Sequence, residues 1–197
     1  TKAVQWWKVG KVTLNPGSQI RNGISNMVML QLSGVPMHMV LPRIVQAIKS
    51  IQSGGKHWQV AKKYGVTEAT FSAQELAEIK KDAIKMQMES MGQIRMKRFG
   101  LAAMLMAHPI VEKAGKAYQF MEQVGKTAKI IDVMEREGKA DWEAALEAQK
   151  WMFDYSLVPN AIRYARNAPI GSPFATWLWK SSPRLLEIAA LHPQRLI

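Results

Sequence analysis

Lysine and arginine side chains in the first third of the chain are the groups best suited, by type and spacing, to act on a partner. Residues 1–67 contain nine basic residues and no aspartate or glutamate, and the first carboxylate is Glu68. Such an excess of cations neutralises phosphates and gives an affinity that depends on salt rather than on base sequence. We therefore predict a nucleic-acid-binding surface here. It comprises Lys8, Lys11, Arg21, Arg43, Lys49, Lys56, Lys62 and Lys63.

The rest of the chain is closer to charge balance. Residues 68–150 hold thirteen basic and thirteen acidic residues, and residues 151–197 hold five basic and two acidic residues. The net charge of +12 therefore resides mainly in the first 67 residues. Two other interpretations of that stretch stay open. It binds another negative surface, such as anionic lipid, or it reflects a bias that acids elsewhere in a longer parent protein offset.

Residue types that support catalysis or metal binding are absent or scattered. The chain has no cysteine, which excludes disulfides and thiolate chemistry. The four histidines are at least 19 residues apart, so none forms a helical pair of metal ligands. The run Gly54-Gly55-Lys56 lacks the full spacing of a phosphate-binding loop. Because no nucleophile, base and orienting group can be combined, we expect no enzymatic activity, no metal and no cofactor.

Helical patterns dominate the elements that must position these side chains. No stretch alternates apolar and polar residues for long enough to predict a strand, so we expect an all-α, extended multi-helical assembly. Proline and glycine set the expected helix boundaries. Helices are predicted over about 18–33, from Leu41 to about residue 53 with Pro42 in its first turn, and over 57–63.

A long helix is predicted from Pro109 to Gly138. Its apolar residues recur at alternating intervals of four and three, at Ile110, Ala114, Ala117, Met121, Val124, Ala128 and Ile131. Few complementary charges flank this stripe, so a broad buried face in a helical bundle is favoured over a two-stranded coiled coil. Glu122 and Lys126 are expected to form an exposed ion pair on the same helix.

Three regions follow from these patterns. We predict a basic N-terminal helical region over 1–67, a long-helix bundle region over 68–155, and a proline-broken helical tail over 156–197. The chain has seven tryptophans, more than a small bundle needs to bury, which predicts anchors between helices or protomers and hence a homo-oligomer. The predicted interface residues are Trp6, Trp7, Trp142, Trp151, Phe174, Trp177 and Trp179.

An uncharged segment of 21 residues, from Asn22 to Pro42, is long enough to cross a membrane. Several polar residues and the helix breakers Gly34 and Pro36 lie within it, which argues against a stable transmembrane helix. Interfacial or transient contact with a membrane stays open as an alternative.

Two groups of short motifs resemble a known family. Near the N-terminus they are Trp7-Lys8, Thr13-Leu14-Asn15-Pro16 and Ile20-Arg21-Asn22-Gly23-Ile24-Ser25-Asn26. Downstream they are Phe153-Asp154-Tyr155, Arg163 and Pro173-Phe174-Ala175-Thr176-Trp177. In order and separation, these motifs resemble the opening and closing patterns of a large polyvalent protein-associated domain, which occurs in giant multidomain proteins of bacteriophages and mobile elements.

The resemblance implies a structural bacteriophage virion component. Such an internal virion protein is packaged in the capsid or portal region and delivered with the genome during DNA ejection. The implied partners are phage DNA, portal or tail proteins, copies of the chain itself and, transiently, the host membrane. Its implied location is the interior of the phage particle, from which it enters the host envelope. The alternative is a sequence-nonspecific DNA-binding helical module of a large phage polyprotein.

Overall fold

The computed structural model describes residues 15–67, 109–153, 158–167 and 175–195. These residues form an all-α structure without strands, which confirms the predicted fold class. The described α-helices are α1 (Pro16–Leu32), α2 (Met37–Ser53), α3 (Lys56–Lys63), α4 (Pro109–Glu135), α5 (Asp141–Trp151), α6 (Asn160–Asn167) and α7 (Ala175–Leu191). A short 3-10 helix, Pro193–Arg195, follows α7.

The start of α2 differs from the sequence prediction. The helix begins at Met37, so Pro42 is its sixth residue and does not lie in the first turn. Proline lacks the N–H that would bond to the carbonyl group four residues earlier, and that group belongs to His38 at the beginning of the helix. A single backbone hydrogen bond is therefore lost near the N-terminus of the helix, and α2 continues through the proline.

Helix α4 is the central element of the fold. It packs against α1, α2, α3 and α5, and every residue from Val124 to Val133 is buried. The predicted broad buried face therefore extends around the whole circumference of this part of the helix, whereas Ala117 is exposed. The expectation of an exposed ion pair was wrong, because Glu122 and Lys126 are both buried.

Two apolar clusters hold the helices around α4. The first brings together residues of α1, α2, α4, the end of α5 and α7, including Leu30, Ala47 and Ile188. The second joins α3, α4 and α5 through residues such as Val60 and Ile130. The long central helix thus contributes to both clusters, with the basic helix α3 attached to the second one.

The turn between α1 and α2 is held by three cationic side chains. Arg195 donates to the carbonyl of Leu32 at 3.4 Å, Lys129 to that of Ser33 at 3.1 Å, and Arg136 to that of Gly34 at 3.0 Å. A helix ends in carbonyl groups without helical donors and with partial negative charge, so cations stabilise this position. Gly34 has φ +97°, and a Cβ there would lie 3.0 Å from an Arg195 nitrogen.

The C-terminal region is less interrupted by proline than the sequence suggests. Pro183 lies inside α7 without ending it, and Pro193 begins the 3-10 helix. Pro169 and Pro173 lie outside the described residues. Helix α7 is connected to α5 by the ion pair of Lys150 and Glu187, whose nitrogen and oxygen are 2.9 Å apart.

The uncharged segment from Asn22 to Pro42 is divided between two helices by the turn at Ser33–Pro36. Within the described part of the chain, none of the helices combines the length and the apolar character needed to span a bilayer. The division of the chain into three regions stays a prediction.

Candidate nucleic-acid interface

Four of the predicted phosphate-binding residues lie at the end of α2 and in α3. Lys49, Lys56, Lys62 and Lys63 all have exposed side chains. Arg21 is also exposed, on α1, where its Nε donates to the carbonyl of Gly17 at 3.2 Å. Lys8 and Lys11 lie outside the described residues. Five predicted residues are therefore accessible to an external anion.

The turn between α2 and α3 determines the positions of Lys49 and Lys56 relative to each other. Gly54 ends α2 with φ +67°, a left-handed conformation that glycine adopts without strain. The buried Ser50 hydroxyl then accepts a hydrogen bond from the backbone N–H of Trp58 at 3.2 Å. A Cβ at Gly55 would lie 3.1 Å from the same Oγ, so the two helices approach each other closely here.

Two lysines of the interface lie over aromatic rings. The Lys62 Nζ is 5.9 Å from the centroid of Trp58, and the Lys63 Nζ is 5.0 Å from that of Tyr64. Both rings are half-buried and pack against the apolar cluster shared by α3, α4 and α5. Attraction between an ammonium group and a ring face restricts each lysine while its charge stays in solvent.

The turn that follows α3 is attached to the core by side chains of α4 and α5. Lys126 donates to the carbonyl of Val66 at 3.3 Å, and Gln149 donates to the carbonyl of Tyr64 at 3.3 Å. Val66 itself is fully buried. Helix α3 is therefore fixed at both ends, and its lysines project from a rigid element.

Arg43 does not belong to this surface. Its side chain is 5% exposed, its Nε is 3.5 Å from the carboxylate of Asp132, and its Nη1 pairs with Glu135. The prediction that Arg43 faces nucleic acid was wrong, because the guanidinium is buried and is paired with two carboxylates of α4. Sequence reasoning missed this pairing because both partners lie about ninety residues away, on α4.

His57 adds little charge to the interface at neutral pH. Its Nε2 lies 3.6 Å from a carboxylate oxygen of Glu135. Burial lowers the pKa of His57 below its ordinary value of 6.5, an effect that Glu135 opposes only in part. The imidazole is therefore mainly neutral at pH 7, and the positive charge of α3 comes from its lysines.

The predicted interface aromatics occupy different environments. Trp142, Trp177 and Trp179 are exposed, as an intermolecular contact requires. Trp151 is buried, with its Nε1 donating to Glu147 at 3.1 Å, so it packs between helices of one chain and not at a surface. Trp6, Trp7 and Phe174 lie outside the described residues.

Sequence reasoning did not assign Trp58 to the site. Its position four residues before Lys62 was the available signal, since residues at this spacing are neighbours on a helix. Among the described residues, no three histidine, aspartate or glutamate side chains are grouped so as to hold a metal ion.

Comparisons with family models, with curated proteins and with solved structures give no match to this chain. The resemblance of its short motifs to the phage domain therefore stays a prediction.

Some residues of those motifs have a clear structural role. Asn26 on α1 donates from Nδ2 to the carbonyl of Met121 on α4 at 3.1 Å. A Cβ at Gly23 would lie 3.0 Å from the Met121 Cε, and one at Gly125 would lie 3.3 Å from the Asn26 Cγ. The small residues thus allow α1 and α4 to approach closely. Phe153, from the second motif group, is buried and has φ +49°.

Proposed function

We propose that this chain is a structural component of a bacteriophage virion interior, and that it binds the packaged DNA without reading its sequence. The observation that carries the proposal is the group of exposed lysines at the end of α2 and in α3, within a stretch that contains no carboxylate. The proposed role is binding and packing, without catalysis.

The arrangement of these lysines favours contact with the phosphate backbone over recognition of bases. Lysine acts as a point charge and lacks the planar fork with which arginine reads guanine. The one arginine of α2, Arg43, is already paired with Asp132 and Glu135. Affinity is therefore expected to be similar for duplexes of unrelated sequence.

Salt titration tests the DNA-binding proposal directly. The full chain should bind two 30-base-pair duplexes of unrelated sequence equally well, and the affinity should fall steeply with salt, because each neutralised phosphate contributes about −0.9 to the logarithmic slope. The variant Lys62→Gln/Lys63→Gln should reduce the magnitude of this slope by about two for both duplexes.

Lys113 supplies the matched control. It is exposed on α4, outside the basic stretch, so Lys113→Gln removes one charge and should weaken binding much less than Lys62→Gln does. A slope that does not change between wild type and the double variant would contradict the proposal. Equal losses of DNA affinity for Lys62→Gln and Lys113→Gln would also contradict the proposal, because the affinity would then depend only on the net charge of the protein.

The virion setting is supported by the motif resemblance and has its own test. Quantitative mass spectrometry of purified particles of the encoding phage should find the protein at several copies per particle, and particles that have ejected their DNA should have lost it. Recovery from infected cells alone, with none in particles, would leave the alternative of a DNA-binding module that acts in the cell.

A further inference from the structure

A histidine lies inside the basic helix α3. His57 is in the first turn of this helix, directly between Lys56 and Trp58. Its side chain is 22% exposed, so protons from solvent reach it although most of the ring is covered. Histidine is the side chain whose ordinary pKa brings a change of charge close to neutral pH. A group that can change its charge therefore belongs to the same element as the lysines of the DNA interface.

The helices packed against α3 bring charged side chains to His57. On α4, a carboxylate oxygen of Glu135 lies 3.6 Å from the His57 Nε2, and the other oxygen of Glu135 pairs with Arg43 of α2. Asp141, the first residue of α5, is a further negative charge that favours a proton on His57. Lys56, on α3 itself, is a positive charge that opposes it. A protonated His57 thus has a carboxylate oxygen beside it that Arg43 does not occupy.

DNA can relieve one of the effects that keep His57 neutral. Burial of the ring is the main cause of its lowered pKa, and the charges of Lys56 and Arg43 lower the pKa further. Arg43 is buried, whereas Lys56 is exposed and accessible to a phosphate group. A phosphate bound to Lys56 compensates the charge that repels the proton, so bound DNA favours the protonated form of His57.

We propose that His57 couples DNA binding to proton uptake, so that acidification from pH 7.5 to 5.5 strengthens the binding of DNA at α3. This coupling rests on the proposed function and adds a regulatory group to the same site. If bound DNA favours the proton, the proton favours DNA by the same factor. The imidazole need not touch the DNA, because α3 is about 12 Å long and charges act over about 8–10 Å at moderate salt.

DNA titrations at constant salt test the coupling. From pH 7.5 to 5.5, the affinity of the full chain for a 30-base-pair duplex should increase about fivefold, at the lower end of typical couplings between two sites. His57→Gln should remove most of this increase. His38→Gln is the matched control, since His38 is exposed near the start of α2, about 22 Å along that helix from its last residue. This variant should keep the increase of wild type.

Two lysine variants test whether the coupling acts through Lys56. Lys56→Gln and Lys63→Gln each remove one exposed lysine from α3, and both should weaken DNA binding at pH 7.5. Lys63 lies about 10 Å further along the helix than Lys56. Lys56→Gln should therefore reduce the dependence of the affinity on pH, whereas Lys63→Gln should lower the affinity by a similar factor at each pH.

Proton NMR of wild type gives a direct measurement that needs no variant at position 57. Titration of the imidazole Cε1 protons with and without the duplex should show that DNA raises the pKa of His57 and changes that of His38 much less. This measurement decides the matter if His57→Gln fails to fold.

Three results would overturn the coupling. They are the same pH dependence in wild type and His57→Gln, a pKa of His57 that DNA leaves unchanged or lowers, and a loss of pH dependence in Lys63→Gln as large as that in Lys56→Gln. Each of these would leave the proposed function standing, provided that binding still weakens steeply with salt. Absence of DNA binding at every pH would overturn the proposed function together with the coupling.

Discussion

The ammonium group of Lys129, on the fully buried part of α4, donates a hydrogen bond to the backbone carbonyl of Ser33 at the end of α1, at a distance of 3.1 Å. Glu137 is the nearby counter-charge, with an oxygen 3.8 Å from the same nitrogen. A cation is thus kept inside the protein by a helix terminus and a carboxylate. This contact joins the C-terminal end of α1 to the central helix α4.

Lys129 should make stability increase with pH in the alkaline range. Burial lowers the pKa of Lys129 below its ordinary value of 10.5, although Glu137 and Asp132 oppose the shift. Between the folded and unfolded pKa values the unfolded chain binds more protons, so the free energy of unfolding contributed by this group rises with pH. Urea unfolding from pH 7 to 10 should show that the free energy of unfolding of wild type increases relative to that of Lys129→Met. If the free energy of unfolding of wild type increased by as much relative to Lys113→Met, whose position is exposed, the effect would come from the overall charge of the protein and not from the burial of Lys129.

Arg43→Gln should destabilise the protein and should not weaken DNA binding of the folded fraction. Removing the guanidinium leaves the fully buried Asp132 with Arg136 as its remaining ion-pair partner, and losing part of the compensation of a buried charge costs about 1–3 kcal/mol. Lys49→Gln, at an exposed position further along α2, should change stability by about 0.5 kcal/mol or less and should weaken DNA binding. Thermal unfolding and a DNA titration separate the two variants. The reverse pattern would place Arg43 on the surface that binds DNA.

Gly34→Ala should lower the free energy of unfolding more than Gly138→Ala does, as measured by urea unfolding. Both glycines have positive φ, at +97° and +66°, and an alanine in such a conformation costs about 1–2 kcal/mol. The Cβ added at Gly34 would also meet the Arg195 guanidinium, whereas nothing lies within 4 Å at Gly138. The extra cost should become smaller in an Arg195→Ala background, and what remains reflects the φ of +97°, which lies farther from the left-handed helical region than +66° does. An unchanged cost there would mean that the Arg195 contact does not constrain the turn.

Acidification should release part of the contact between α7 and α5. Hydrogen bonds from Lys150, and then from Arg184, hold the pKa of Glu187 below its ordinary value of 4.5. The stabilisation is therefore present above pH 4.5 and is lost as the pH falls through the lowered folded value. Glu187→Gln should be less stable than wild type at pH 7, and this difference should narrow toward pH 3. A constant difference would show that the ion pair does not stabilise the protein.

Local signals predicted many helix boundaries well. Pro16, Gly34 and Gly54 lie close to the ends of α1 and α2, because the conformational limits of proline and glycine act within a few residues. Pro42 and Pro183 were misleading, since a helix loses only one backbone hydrogen bond at a proline when the neighbouring turns are supported by packing.

Long-range pairing accounts for the remaining errors. Arg43, Glu122 and Lys126 look like surface residues in the sequence, because charged side chains are seldom buried without partners. Arg43 has such partners about ninety residues away, and the Lys126 ammonium reaches a carbonyl sixty residues away. Spacing along one helix carries no information on such contacts. The lysines of α3 are exposed, as binding to an external partner requires, whereas the placement of Lys62 and Lys63 over Trp58 and Tyr64 emerges only from the fold.

The three cationic side chains that bind the α1–α2 turn also determine when this turn can complete its native hydrogen bonds during translation. The carbonyl groups of Leu32, Ser33 and Gly34 leave the ribosome long before their donors at positions 195, 129 and 136 are translated. During that interval water must solvate them, so the nascent hairpin lacks its native support. Its last contact forms only after residue 195 has emerged, and sequence separations this large slow folding. The α1–α2 hairpin therefore completes its native contacts later than its own helices can form.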